Sequence, residues 1–171
     1  MEKSMVGTLR ARMWTLLAMA PFAALLVLAA ARAPDSPRLR LVVSLSARQL
    51  NVVQDGRVVT TYGVAVGQPS NPTPRGSFRT GRITWNPSWR PPRSWWARNK
   101  RPQPPDAPEN PMQGVKIYFK APDYYIHGTN NPSSIGRAAS RGCIRMTEGD
   151  AKRLARTIER AGGSVPLLIR D

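Results

Sequence analysis

A chain of 171 residues has room for one domain of ordinary size, large enough to bury an apolar core without disulfide staples. Its 26 Lys and Arg against 10 Asp and Glu give a formal charge of +16. Such a surface draws anions (nucleic acid, anionic lipid, the carboxylates and phosphates of a cell wall), although general solubility accounts for the same balance. One cysteine and one histidine exclude an intrachain disulfide and are too few for an ordinary zinc site, so no metal and no cofactor is implied.

The first 31 residues stand apart. Lys3, Arg10 and Arg12 give a basic start, and Trp14 to Ala31 then runs without a charge. That layout is an export signal, either a cleaved signal peptide or a retained membrane anchor, with the domain on the outer side. The domain is therefore expected in the periplasm or on the outer face of the cytoplasmic membrane, touching membrane only through this segment. Residues 32–38 form an Ala/Pro/Arg linker, and 39–171 the domain itself.

The domain opens with β-like sequence. Leu41 to Leu45 is a first strand, and Gln49 to Gln54 alternates polar and apolar. Asp55-Gly56 signals a hairpin turn, after which Arg57 to Tyr62 resumes the pattern. Tyr62 to Val66 continues that strand or starts another. Gly67 to Ser77 is a loop, and Phe78 to Thr84 reads as one strand. Trp85 to Pro111 mixes four of the five tryptophans with many prolines and arginines, which excludes regular structure and reads as a long surface loop. That loop is either a lid or a segment stapled to the core by its tryptophans. Val115 to Phe119 and Tyr124 to His127 are two more strands. Thr147 caps the one convincing helix, with Ala151, Leu154, Ala155, Ile158 and Ala161 on one face and Gly162-Gly163 at its end. Val165 to Ile169 is a closing strand. The fold class is mainly β, a sandwich or barrel with one helix after the cysteine.

The solitary histidine and cysteine are His127 and Cys143. A cysteine attacking a carbonyl must lose its proton, and an imidazole within reach can take it and return it to a leaving amine. Gly142 lets substrate and backbone approach the thiol, and the Gly142 and Cys143 N–H groups are candidates to hold an oxyanion. Arg141 and Arg145 flank the sulfur and are expected to favour its thiolate, with the dipole of the following helix as a further contribution. Composition alone fits an inert buried thiol as well.

Three stretches carry a resemblance: Tyr125-Ile126-His127-Gly128-Thr129-Asn130, Pro132-Ser133-Ser134-Ile135-Gly136, and Ser140-Arg141-Gly142-Cys143-Ile144-Arg145-Met146. Together they resemble the signature of the L,D-transpeptidase catalytic domain (YkuD type). Gln49-Leu50, Thr73-Pro74-Arg75-Gly76, Asn86-Pro87-Ser88-Trp89 and Asn110-Pro111-Met112-Gln113-Gly114 agree with it, so that it runs from about Leu39 to Ile169. Two positions depart: Arg141 stands where the family often has histidine, and Arg75 occupies the third place of the usual Thr-Pro-Thr-Gly turn.

The resemblance implies that Cys143 attacks a peptidoglycan stem tetrapeptide at the carbonyl preceding D-alanine. His127 then protonates the leaving D-alanine, and an amine takes the thioester. It further implies that Gly128 orients the imidazole, that Ser140 and Gly142 line an oxyanion pocket, and that Arg145, Arg141, Asn130 and Trp89 contact substrate, with Arg145 serving either a carboxylate or the fold. The acceptor is a second stem peptide, an anchored lipoprotein or a free D-amino acid. Hydrolysis of the same thioester would make a carboxypeptidase or endopeptidase, and a non-catalytic wall-binding module is the reading of another class. Nucleic acid is not an expected partner, given the leader and the irregular spacing of the aromatics.

Overall fold

The computed structural model describes residues 38–171; the leader and all of the linker but Arg38 lie outside the described residues. Along the chain come strands β1 (Leu39–Ser44), β2 (Gln49–Gln54), β3 (Arg57–Gly63), β4 (Val66–Gly67), β5 (Gly76–Arg79) and β6 (Ile83–Trp85). After a long loop follow β7 (Gln113–Lys120), β8 (Tyr124–Gly128), β9 (Ala138–Ser140), β10 (Ile144–Met146), helix α1 (Glu148–Arg160) and β11 (Pro166–Arg170). One sheet has the order β3-β2-β1-β11-β5, a second β10-β8-β7-β6, and β4 pairs with β9 alone. The two large sheets form a sandwich. Neither closes on itself, so the barrel alternative falls.

The alternation in β1 does what period two requires: Leu41 and Val43 are fully buried while Arg40 is exposed. Asp55 and Gly56 both take positive φ between β2 and β3, the conformation that a two-residue hairpin turn demands. Leu50 and Val52 of one sheet join Val115, Ile117, Ile126, Ile144 and Met146 of the other in a single core. Helix α1 adds Ala151, Leu154, Ala155 and Ile158 to that core and packs against β7 and β8. Thr147 caps it, its hydroxyl accepting the Asp150 N–H at 3.2 Å and donating to the Asp150 carboxylate at 2.6 Å. The helix stops at Arg160, which leaves Ala161 as an exposed cap rather than a member of the apolar face.

The stretch expected as one strand from Phe78 to Thr84 is two strands in different sheets. The chain turns the corner at Thr80, whose hydroxyl accepts the Val165 N–H at 2.9 Å and whose carbonyl accepts the Ser164 hydroxyl at 2.6 Å. The next N–H, that of Gly81, donates to the Tyr118 carbonyl of the other sheet at 2.7 Å. Side-chain hydrogen bonds thus end a run that β-propensity alone would continue.

The long loop is held by more than its tryptophans. Asn110, fully buried, donates to the carbonyls of Pro87 at 2.8 Å and Pro104 at 3.0 Å and accepts the Met112 N–H at 2.9 Å. Trp89 and Gln103 exchange two backbone hydrogen bonds of 2.9 Å. Trp85 donates its indole N–H to Glu159 of α1 at 2.8 Å, which is a staple. Trp95 is 76% exposed and staples nothing.

Thr80→Val keeps the shape of the corner and leaves the buried Val165 N–H without its acceptor. It should lower stability by about 1–3 kcal/mol, read as a shift in the urea midpoint with an unchanged slope.

Candidate active site

Strand β10 runs parallel to β8, with Ile144 opposite Ile126, Arg145 opposite His127 and Met146 opposite Gly128. On its other edge Arg145 exchanges backbone hydrogen bonds of 2.8 and 2.9 Å with Ala65. Alternation then sorts the side chains. Ile126, Ile144 and Met146 point into the core and are fully buried. Tyr125, His127, Cys143 and Arg145 all line one cavity of about 1070 Å³. The sequence's solitary thiol, just ahead of β10, and its solitary imidazole, on β8, therefore line the same cavity as the long loop.

His127 is buried, and its Nδ1 lies 2.8 Å from the Gly128 carbonyl oxygen. A neutral ring that donates from Nδ1 to that carbonyl carries its lone pair on Nε2, which is the orienting role expected of Gly128. No side chain fits at Gly128, since a Cβ there would come within 2.2 Å of the Gln113 carbonyl oxygen and 3.1 Å of the Glu148 Cα. Burial pushes the imidazole pKa down to about 4. The cations of Arg145 and Lys116 add to the fall, and the carbonyls of Gly128 and Pro111 oppose it.

Cys143 is half-buried, and its thiol donates to the Asp123 carbonyl at 3.6 Å. Among the described residues no hydrogen bond joins it to the imidazole, with which it shares the cavity. Burial raises the thiol pKa, and the Asp123 charge adds to the rise. A backbone hydrogen bond from Tyr125 and the Arg145 cation counter it without reversing it. The flanking arginines were expected to favour the thiolate, and Arg145 does pull the pKa down. Desolvation outweighs Arg145, and Arg141 stacks on Trp96, its guanidinium 4.3 Å from the ring centroid.

The turn before the cysteine is closed by Ser140, buried at 1% exposure. Its hydroxyl donates to the Cys143 carbonyl at 2.5 Å and accepts the Gly142 N–H at 3.1 Å. Both groups were expected to face an oxyanion; here the Gly142 N–H and the Ser140 hydroxyl are engaged with each other and shape the turn. Gly142 has φ +105°, and a Cβ there would lie 2.7 Å from the Tyr124 ring, so glycine is required on both counts. Asn130 was expected to contact substrate; its side chain donates to the Pro108 carbonyl at 3.0 Å and ties the loop to the end of β8. Arg145, Arg141, Asn130 and Trp89, the four expected to contact substrate, all line the cavity, as does Ser140.

Sequence reasoning missed Tyr125, Asp123 and Lys116. The Tyr125 hydroxyl donates to the Asp123 carboxylate at 2.9 Å, and burial with that bond pushes its pKa up to about 12. Lys116 sits 5.0 Å from the Tyr125 ring centroid. Period two along β8 would have flagged Tyr125, two residues before His127.

Residues 38–166 match the L,D-transpeptidase catalytic domain, YkuD. The YkuD protein of Bacillus licheniformis is 39% identical over 124 residues, covering 72% of this chain and 62% of that protein. The chain spans about three fifths of the length of the curated YkuD relatives it matches. Among solved structures, L,D-transpeptidase 3 from Mycobacterium tuberculosis, in complex with a faropenem-derived adduct, superposes with a TM-score of 0.62 at 17% identity, covering 79% of this chain and 61% of that one. The LD transpeptidase LdtMt1 in complex with imipenem gives 0.57 at 21% identity, covering 78% and 59%. At such identities these likenesses speak to the fold.

The His127 ring signals should titrate with a midpoint near 4 by NMR, the neutral ring persisting down to that pH. A midpoint at the ordinary value near 6.5 would contradict the burial argument. Gly142→Ala should leave the fold intact by circular dichroism while cutting the rate of Cys143 alkylation by iodoacetamide at least about tenfold, because the turn can no longer present the sulfur.

Proposed function

The chain belongs to the L,D-transpeptidase catalytic domain family, and on that premise we propose that it is a peptidoglycan L,D-transpeptidase with Cys143 as nucleophile and His127 as its proton partner. The observation that carries this reading is the convergence of the single thiol and the single buried imidazole on one cavity large enough for a peptide. Its donor is a wall stem tetrapeptide ending in D-alanine.

The protonation states favour general-base chemistry over a standing ion pair. At neutral pH the imidazole is neutral, its pKa pushed down to about 4, and the thiol is protonated, its pKa raised. The thiol leaves the Asp123 carbonyl for the imidazole and gives up its proton to Nε2 as the sulfur attacks the donor carbonyl. The S–C bond forms and negative charge gathers on the carbonyl oxygen, where the Cys143 N–H is a candidate donor. Collapse breaks the C–N bond. D-alanine departs as an amine carrying the proton from His127, and a thioester remains on Cys143. An amine acceptor then attacks the thioester, passes its proton to His127 and restores the thiol. The acceptor is a second stem peptide, an anchored lipoprotein or a free D-amino acid. The charge-free run from Trp14 to Ala31 supports action outside the cytoplasmic membrane, where the wall lies.

A solved relative of the same fold carries a faropenem-derived adduct, and the same chemistry is expected here. Imipenem or faropenem should add one covalent equivalent to the protein by intact-mass measurement, and peptide mapping should place it on Cys143. Cys143→Ala should take up none, and His127→Gln should acylate at least about a hundredfold more slowly, the usual scale for loss of a positioned base. An unmodified wild-type protein, or an adduct on another residue, would overturn the assignment.

A further inference from the structure

The cavity carries more positive charge than the chemistry of Cys143 and His127 uses. Its loop wall presents Arg90, Arg93, Lys100 and Arg101, all exposed. The sheet side adds Lys116, Arg141 and Arg145. The acids lining the same space are Glu109 and Asp123, and the Asp123 carboxylate already accepts the Tyr125 hydroxyl. The ion pairs among the described residues lie elsewhere, at Arg75–Asp171, Lys152–Glu148 and Arg153–Asp150. None of the loop cations has a carboxylate partner among the described residues.

Like charges gathered without partners repel one another and focus a positive field into the cavity that contains them. On the sheet side, burial and neighbouring cations (Arg141 beside Arg145, Arg82 beside Lys116) both lower the pKa of these groups. An anion bound between the walls relieves that repulsion, and guanidinium groups suit a carboxylate because they can grip both of its oxygens. Arg141, stacked on Trp96, joins the nucleophile turn to the loop, so the loop cations belong to the same space as the sulfur.

We propose that Arg90, Arg93, Lys100 and Arg101 form a subsite for a side-chain carboxylate of the donor peptide, so that the enzyme selects donors with free side-chain carboxyls over amidated ones. The inference rests on the transpeptidase reading and names the donor class that site prefers. The loop cations are exposed, so each contributes modestly, and their effect is collective and screened by salt.

The test uses the full chain and two synthetic tetrapeptide donors that differ only in whether their side-chain carboxyls are free or amidated. Release of D-alanine gives kcat/KM for each. The free donor is expected to be favoured by about three- to tenfold at low salt. That preference should shrink toward one at high salt, and it should vanish in the Arg90→Gln/Arg93→Gln/Lys100→Gln/Arg101→Gln variant while kcat for the amidated donor holds. Equal kcat/KM for the two donors overturns the subsite, as does a preference that survives unchanged in the variant. Tight binding of polyphosphate without donor discrimination also overturns it, since it assigns the cations to a phosphate polymer. If neither donor is consumed and imipenem fails to label Cys143, the transpeptidase premise itself has failed; labelling by imipenem with equal use of both donors sinks the subsite alone.

Discussion

Everything at the site depends on one short parallel pairing. Strand β10 has three residues, too few to hold its place alone. It is clamped between β8 on one side and the Ala65 backbone on the other. The period of two then fixes the result: Ile144 and Met146 sink into the core, and Cys143 and Arg145 face the cavity that His127 and Tyr125 face from β8. A slip of one residue would bury the sulfur and expose two large apolar side chains, so core burial itself enforces the register. The stretch between the two strands is tied down as it goes, with Thr129 N–H on the Met146 carbonyl at 3.0 Å and Gly136 N–H on the Val64 carbonyl at 3.0 Å.

The electrostatics follow from that burial. A half-enclosed thiol and an enclosed imidazole both prefer to be uncharged, even beside Arg145. The resting pair is therefore uncharged, and in the proposed reaction the sulfur becomes a strong nucleophile only as its proton moves. For a lone thiol this arrangement limits adventitious oxidation, because the thiolate is the reactive form.

Much of this was legible in the residues. The first hairpin announced itself through alternation and Asp55-Gly56. The helix announced itself through its cap and its apolar stripe; the solitude of His127 and Cys143 fitted an inert thiol as well, and it was the motifs around them that singled the pair out. What escaped had physical reasons. Strands β4, β9 and β10 are too short for alternation to be read. The break at Thr80 depends on a hydroxyl meeting Val165 from far along the chain, which local propensity cannot register. The resemblance put Ser140 at the oxyanion and Asn130 on the substrate; both line the cavity, and the hydrogen bonds they make to the Cys143 and Pro108 carbonyls were not legible in the sequence. Arg141 likewise had a partner, Trp96, in a proline-rich loop with no periodicity to place it.

The central claim is that one sulfur carries the acyl group. It is tested most directly by mass spectrometry of a stem tetrapeptide incubated with wild type and with Cys143→Ala. The account predicts loss of D-alanine and a transient acyl-protein species with wild type, and neither with the variant. Undiminished D-alanine release by Cys143→Ala would contradict it.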